Sequence, residues 1–214
     1  VAINGGSLSI DGTSIAVGNT INLNNGGTLA TTSGSGNSIT NAVVIANTAA
    51  GTQTISLAQT LSAALTGGVS SGTVTLSGAG ALSLNGTSSI SSALTITGTL
   101  DLNGRSMSVG ALGGNGVVKD TAGGGSLTIT GAGATFSGTL GASSANGFSF
   151  TESGTGTQTL SGANTYTGGT TITAGTLSIT NATALGTAAV AINGGSLSID
   201  GTSIAVGNTI NLNN

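Results

Sequence analysis

Five acidic side chains give this sequence its clearest capacity for chemistry: Asp11, Asp101, Asp120, Glu152 and Asp200. Paired carboxyl groups act as general acid and base on glycosidic bonds, and larger groups of them bind calcium. Two of the five occupy the same position of a repeated segment, and the others lie far apart in sequence. We therefore expect no catalytic group among them and interpret the protein as not an enzyme.

The charged residues that do lie close together in sequence favour structural roles. Asp101 and Arg105 flank an Asn-Gly turn, which predicts a local ion pair, and Lys119 with Asp120 is typical of a solvated turn. The sequence has no His and no Cys, which removes the usual pairs of nucleophile and base. The GGNGVV segment at 113–118 lacks the periodic Asp of calcium-binding solenoids, so neither a metal site nor a cofactor is expected.

The aromatic residues are so few that their clustering needs an explanation. Phe148, Phe150 and Tyr166 are possible surface or sugar contacts, because two Phe separated by one residue lie on the same face of a strand. A stacked aromatic ladder in the core is the competing interpretation. Both alternatives remain open at this point.

Repeated Thr-x-Thr triplets suggest another kind of surface. They begin at Thr52, Thr73, Thr95, Thr128, Thr157 and Thr171. A flat threonine ladder is the surface that ice-binding proteins present, but threonine also simply suits strand faces. Ice binding is therefore one further alternative.

Short alternating segments, which must position all these residues, recur along the chain. Each has two aliphatic residues separated by a small polar one, as in Leu82-Ser83-Leu84, and this period of two predicts a strand buried on one face. Asn-Gly, Gly-Gly and Ser-Gly steps separate them and supply turn chemistry. The segments return about every twenty residues: 8 to 29, 74 to 94, 107 to 127 and 177 to 197. This spacing predicts an all-β fold, a right-handed parallel β-helix of about three short strands per coil.

Residues 1–25 and 190–214 are identical, at an offset of 190 − 1 = 189 residues. We interpret residues 1–189 as one full repeat unit and residues 190–214 as the start of the next, continuous with the same solenoid. The chain is then expected to be a slice of a longer protein. An alternative all-β interpretation, a row of hairpins in sandwiches, fits less well because the strands are short and aromatic core residues are scarce.

Composition excludes several classes of protein. Of 214 residues 40 are Gly, whereas charged residues make up 3% and Pro and Cys are absent. Two basic residues cannot follow a phosphate backbone, so nucleic acid is not an expected partner. No nearly apolar run approaches the roughly twenty residues of a membrane-spanning helix, and no membrane insertion by this segment is expected.

One segment resembles a known family. Residues 160–179, LSGANTYTGGTTITAGTLSI, resemble the autotransporter-associated β-strand repeat, also called the passenger-associated transport repeat. Residues 100–116 and 126–141 are similar to segments that accompany it. The resemblance implies the passenger region of a type V autotransporter or giant adhesin, outside a Gram-negative cell or on its surface.

From this we expect a structural extracellular repeat that forms the shaft of a secreted or surface-anchored adhesin or filament. Expected partners are further copies of the repeat stacked end to end, with lateral self-association and a host, cell-surface or glycan ligand as additional possibilities. The alternative is a carbohydrate- or surface-binding module on the same solenoid, and polysaccharide cleavage is a third hypothesis.

Overall fold

The fold consists entirely of β-strands. The computed structural model describes residues 1–45, 51–67, 72–142 and 147–213, and every regular element in these ranges is a strand. Asn214, the last residue of the second identical segment, lies outside the described residues. The strands are β1 (Ala2–Asn4), β2 (Ser7–Ser9), β3 (Gly12–Thr13), β4 (Ala16–Val17), β5 (Ile21–Asn24), β6 (Thr28–Thr31), β7 (Gly34–Ser35), β8 (Asn37–Ile45), β9 (Gly51–Leu57), β10 (Leu61–Gly67), β11 (Gly72–Ser77), β12 (Ala81–Leu84), β13 (Ser88–Ile96), β14 (Thr99–Asp101), β15 (Ser106–Gly114), β16 (Val117–Lys119), β17 (Ser126–Ile129), β18 (Thr135–Phe136), β19 (Thr139–Ala142), β20 (Ser149–Glu152), β21 (Thr157–Leu160), β22 (Thr170–Ile172), β23 (Thr176–Ile179), β24 (Val190–Ile192), β25 (Ser196–Ile199) and β26 (Ile210–Leu212).

All the strand pairs are parallel, and each strand pairs with its equivalent about twenty residues away. Leu8 pairs with Leu29, Met107 with Leu127, and Leu177 with Leu197. These are the spacings that the sequence predicts, and they confirm the parallel β-helical stacking. One series of registered positions runs through ten coils: Ser7, Thr28, Thr54, Thr75, Thr95, Gly113, Thr135, Thr159, Ser178 and Ser198.

Alternation along each strand separates core from surface. In β10 the aliphatic residues Leu61, Ala63 and Leu65 are buried, and the residues between them are partly exposed. Stacked coils repeat this pattern, so the core is one continuous, mostly aliphatic column along the solenoid axis. Strands so short are stable only because each coil covers the apolar edge of its neighbour.

A ladder of glycines forms one corner of the coils. The backbone there passes so close to the coil before it that an added Cβ on Gly116, Gly138 or Gly162 would overlap the carbonyl oxygen of the ladder glycine below. Only hydrogen fits in that space, which explains why glycine recurs at this corner.

The identical segments have different neighbours on one side. β24 pairs with β22 and β26, and β25 pairs with β23, so the strand stack continues past residue 190. In the first segment β4 pairs with β8, but the equivalent residues 205–206 form no strand, because no described coil follows them to provide a pairing partner. The 189-residue period as the repeat unit stays a prediction.

Within the described part of the chain, no helix is long and apolar enough to cross a membrane.

Candidate functional site

The aromatic residues form an internal cluster. Phe148, Phe150 and Tyr166 are each 0% exposed, with ring centroids 5.6 Å apart for Phe148 and Tyr166 and 6.4 Å apart for Phe150 and Tyr166. The prediction of a surface or sugar contact at these three residues is wrong, because a sugar has no access to rings that are enclosed by the coils. The competing interpretation, an aromatic ladder in the core, describes what is observed.

The hydroxyl group of Tyr166 is also satisfied inside the solenoid. Its oxygen lies 2.6 Å from Oγ1 of Thr170, which in turn donates to the carbonyl oxygen of Leu185 at 3.4 Å. Burial raises the pKa of Tyr166 above its ordinary value, so the phenol stays protonated. The ring therefore anchors the coil turn and offers no reactive phenolate.

Gln158 connects three coils through its buried amide. Its Oε1 accepts hydrogen bonds from the amides of Leu112 at 3.0 Å and Ala134 at 3.2 Å, and its Nε2 donates to the carbonyl oxygen of Leu112 at 2.8 Å. Leu112 lies two coils before Gln158 along the stack. The side chain thus acts as a clamp that fixes the register of three successive coils.

Asn164 forms a second clamp, in the next part of the same coil. Its Oδ1 accepts from the amide of Leu140 at 2.8 Å, and its Nδ2 donates to the carbonyl oxygen of Ala184 at 2.6 Å. Leu140 belongs to the preceding coil and Ala184 to the following one. Both clamps satisfy buried backbone groups of neighbouring coils, including those of Leu112 in β15 and Leu140 in β19.

Three other buried polar side chains, Gln53, Ser92 and Glu152, have at least one polar atom without a hydrogen-bond partner among the described residues. Gln53 occupies the position equivalent to Gln158, yet within the described residues neither Nε2 nor Oε1 has a hydrogen-bond partner. Glu152 is 0% exposed; the amide of Gly154 donates to its Oε1 at 2.9 Å, and its Oε2 has no partner there. Burial raises the pKa of Glu152 to about 7, and the hydrogen bond from Gly154 opposes that rise.

Asp101 forms its ion pair with a neighbouring coil. Its Oδ2 lies 3.6 Å from Nζ of Lys119, its register partner, so the predicted local pair with Arg105 is wrong. Its carboxylate also accepts from the amides of Asn103 and Thr121, both at 3.0 Å, and from Oγ1 of Thr121 at 2.8 Å. The carboxylate therefore joins two coils.

Asp120 does not lie in a solvated turn, as the sequence predicts, but is fully buried. Its Oδ1 accepts from the amides of Gly104 at 2.6 Å and Gly123 at 3.2 Å, and its Oδ2 accepts from Gly125 at 2.6 Å. Two of the three glycines follow Asp120 in its own turn, and Gly104 belongs to the turn of the preceding coil. These bonds link two turns through the carboxylate. The carboxylate does not face an opening large enough for a substrate.

The equivalent acids Asp11 and Asp200 are exposed and hydrogen-bonded. A hydroxyl from Ser9 and the amide of Thr32 lower the pKa of Asp11 to about 2. Hydroxyls from Ser178 and then Ser198 lower the pKa of Asp200. Among the described residues, no three acidic side chains lie close enough together to hold a metal ion.

Threonine residues on successive coils form a column on the outward face of the solenoid. Thr54, Thr75 and Thr95 are in register on successive coils, and Gly113 interrupts the column at the next one. Two grooves of about 260 and 280 Å³ open elsewhere on the surface and are lined by small residues without ionisable groups. The face is polar and uncharged.

Sequence reasoning missed the structural role of the buried amides. The available signal was that Gln158 takes a position where most coils have an aliphatic residue, such as Val74, Leu94 or Leu177. A polar residue at a core position predicts hydrogen bonds inside the core. The direction of those bonds, toward a coil 46 residues back, follows from the three-dimensional stacking alone.

Residues 150–179 match the family model of the passenger-associated transport repeat. No curated protein and no solved structure matches the chain. The matched residues include both clamps and Tyr166. With the parallel solenoid, the match fits a repeat region of an autotransporter passenger and confirms the resemblance of residues 160–179.

Proposed function

We propose that the chain is a non-catalytic structural segment of an autotransporter passenger, exported to the cell surface, where it forms part of the shaft of an adhesin or filament. The observation that supports this most directly is the coincidence of the matched repeat with Gln158 and Asn164. The family signature falls on the coils whose side chains hold their neighbours in register.

The proposed role is mechanical and needs no reactive group. Parallel pairs place hydrogen bonds along the solenoid axis, and the ten registered coils extend over about 45 Å at roughly 4.8 Å per coil. Additional units would lengthen the rod without new chemistry. An outer face of Ser and Thr, on a chain whose formal net charge is only −3, is little affected by ionic strength.

The clamps also suggest how the segment contributes to export. A coil that emerges from the membrane can stack on coils already folded outside, and this stacking opposes backward movement. Gln158 and Asn164 would make that step selective for the native register, because a register shift leaves buried amides unpaired at a cost of about 1–3 kcal/mol each.

Export can be tested by placing the chain between a signal peptide and a translocator barrel in a Gram-negative host. We expect surface exposure on intact cells, measured by antibody labelling and by cleavage with added protease. The Asn164→Leu variant should show about two- to ten-fold less exposed chain, and Asn115→Leu, at an exposed turn position, serves as its matched control. Chain that remains in the periplasm, or equal display of both variants, would contradict the proposal.

The alternative, a binding module, depends on the outer threonine column, since the aromatic rings are buried. The in-register residues Thr54, Thr75 and Thr95 supply evenly spaced hydroxyls. A glycan array and an ice-recrystallisation assay would test this role. Binding that is lost in Thr75→Leu but retained in Thr135→Leu would favour the module over a purely structural shaft.

A further inference from the structure

The threonine triplets that begin at Thr128 and Thr171 lie on the same face of the solenoid, although they are far apart in sequence. Thr128 is the register partner of Thr151, and Thr151 is the register partner of Thr171. Ser108 extends this column by one coil in the other direction. The linear sequence hides the column because the triplet at Thr151 ends in Ser153 and so breaks the Thr-x-Thr pattern.

A second column of hydroxyl groups runs beside the first, two residues farther along each coil. Thr130, Ser153 and Thr173 directly follow β17, β20 and β22, and their amides donate to carbonyl oxygens of the preceding coil. Their side-chain hydroxyls donate to the same carbonyl oxygens, at 3.1, 2.8 and 3.3 Å. Each of these hydroxyls is therefore held in one orientation.

A third column lies two residues before the first, where Ser126 and Ser149 are register partners. We call the three columns together the hydroxyl lattice. No bulge interrupts the register from β15 through β17 and β20 to β22. The lattice therefore repeats in two directions, at about 4.8 Å between coils and about 6.6 Å along the strands.

The hydroxyl lattice is uncharged and has free hydrogen-bonding capacity. The single acid of these four strands, Glu152, points into the core and is 0% exposed. In the middle column, Thr128, Thr151 and Thr171 are half-buried, and their hydroxyls bond to no other described residue. These hydroxyls can donate to a partner and accept from it, whereas ionic attraction plays no part.

The size of the lattice argues against a protein as that partner. It extends about 14 Å across four coils and about 13 Å along the strands, which is roughly 180 Å². A stable protein interface buries about 800 Å² on each partner, so a second copy of the chain would be held too weakly. A crystal surface fits better, because it also repeats in two directions.

We propose that the hydroxyl lattice binds the surface of ice. Each water molecule in ice donates and accepts hydrogen bonds, and the oxygen atoms repeat at spacings close to those of the lattice. The lattice is rigid, because backbone pairing fixes the strands and a β-branched threonine has a restricted χ1. Ice supplies water that is already ordered, so binding avoids the entropy cost of immobilising liquid water. This role goes beyond the shaft and does not depend on export.

Slow growth of ice from a solution of the whole chain tests this binding. We expect the chain to enter the growing ice, where most solutes are excluded, and to slow the coarsening of ice grains. Thr151→Tyr, at the centre of the lattice, should lower the fraction that enters the ice by about five-fold or more, because its ring keeps ice away from the neighbouring hydroxyls.

The matched control is Thr75→Tyr, the same substitution on the column of Thr54, Thr75 and Thr95. It should enter ice as the parent does. Circular dichroism melts show whether each variant is folded, and Thr128→Tyr repeats the test at a second lattice position.

Three results would overturn the proposal: exclusion of the parent chain from ice, equal losses in Thr151→Tyr and Thr75→Tyr, or a loss in Thr75→Tyr alone. Retention on crystalline cellulose without entry into ice would also overturn it, in favour of a polysaccharide surface. Surface display on cells is measured separately, so a failure of ice binding is distinguishable from a failure of the shaft function.

Discussion

Leu23 and Leu212 are the same residue of two identical segments, yet Leu23 is 0% exposed and Leu212 is 71% exposed. The difference arises because β5 has β8 on its far side, whereas β26 has no following strand among the described residues. Local sequence cannot produce this difference. Each coil of the solenoid depends on the next one for its burial.

This pair gives a direct stability comparison. Leu23→Ala should lower the free energy of unfolding by about 2–5 kcal/mol, because it removes core contacts and leaves a cavity. Leu212→Ala should change it by less than about 0.5 kcal/mol, since the side chain is largely in solvent. Urea denaturation of the two variants measures both values. Equal losses would contradict the assigned burial.

The two equivalent glutamines should respond in opposite directions. Gln158→Leu should destabilise the fold by about 2–4 kcal/mol, because it leaves the amides of Leu112 and Ala134 without their acceptor. Gln53→Leu should stabilise it by about 1 kcal/mol, because the amide that it replaces has no partner within the described residues.

Thermal and urea unfolding of both variants provide the measurement. Each substitution serves as the control for the other, since residue types, coil position and burial are the same. A loss of stability for Gln53→Leu similar to that for Gln158→Leu would mean that the coil position, and not the hydrogen bonds, determines the effect.

The close packing at the glycine corner predicts that two Gly→Ala substitutions have very different effects on stability. Gly138→Ala should cost about 3 kcal/mol, because its Cβ would overlap the carbonyl oxygen of Gly116 and force the backbones apart. Gly113→Ala should be neutral or slightly stabilising, since its nearest neighbour, Oγ1 of Thr95, is 3.6 Å from the added Cβ. Circular dichroism melts of the two variants would compare them. A Gly138→Ala protein as stable as the parent would contradict the close packing of these coils.

Glu152 should make stability depend on pH near neutrality. Its pKa is about 7 in the folded chain and 4.5 ordinarily, so the unfolded chain loses the proton first as pH rises. The free energy of unfolding contributed by this group is therefore fully present below pH 4.5 and falls as pH rises to about 7. The lowered pKa values of Asp11 and Asp200 change the stability only below about pH 3.8, outside this pH range.

Urea midpoints between pH 4 and pH 8 would measure this slope. Glu152→Gln should remove most of it, because the amide is neutral at every pH in this range. Thr151→Gln, at the neighbouring outward position, should keep the slope. Identical pH profiles for Glu152→Gln and the parent would show that the carboxyl group is not buried as described.

The coil register could be predicted because it depends on a residue pattern that is visible in the linear sequence. Leu177 and Leu197 lie twenty residues apart, and their pairing follows from alternation plus a constant coil length. The aromatic and acidic residues were harder to place. Asp is a residue type common on surfaces and in turns, and the burial of Asp120, like that of Phe148, depends on neighbouring coils that the local sequence does not reveal.

Asp101 illustrates the same limit. Its nearest cation in sequence is Arg105, four residues away, but its ion-pair partner is Lys119 in the next coil. In a solenoid the spatial neighbours of a residue are about one coil away in sequence, so local charge patterns mislead. Ion pairs are better predicted between oppositely charged residues about one coil apart in sequence, as Asp101 and Lys119 are.

Equivalent residues stack one coil at a time along the solenoid axis, and distances between pairs of electron spin labels measure this stacking. Cysteine substitutions at Thr75 and Ser178, five coils apart, and at Thr28 and Ser178, seven coils apart, allow two spin-label pairs in a chain that has no other cysteine. We expect backbone separations of about 24 and 34 Å, in proportion to the number of coils. Equal distances for the two pairs, or a shorter distance for the seven-coil pair, would contradict it.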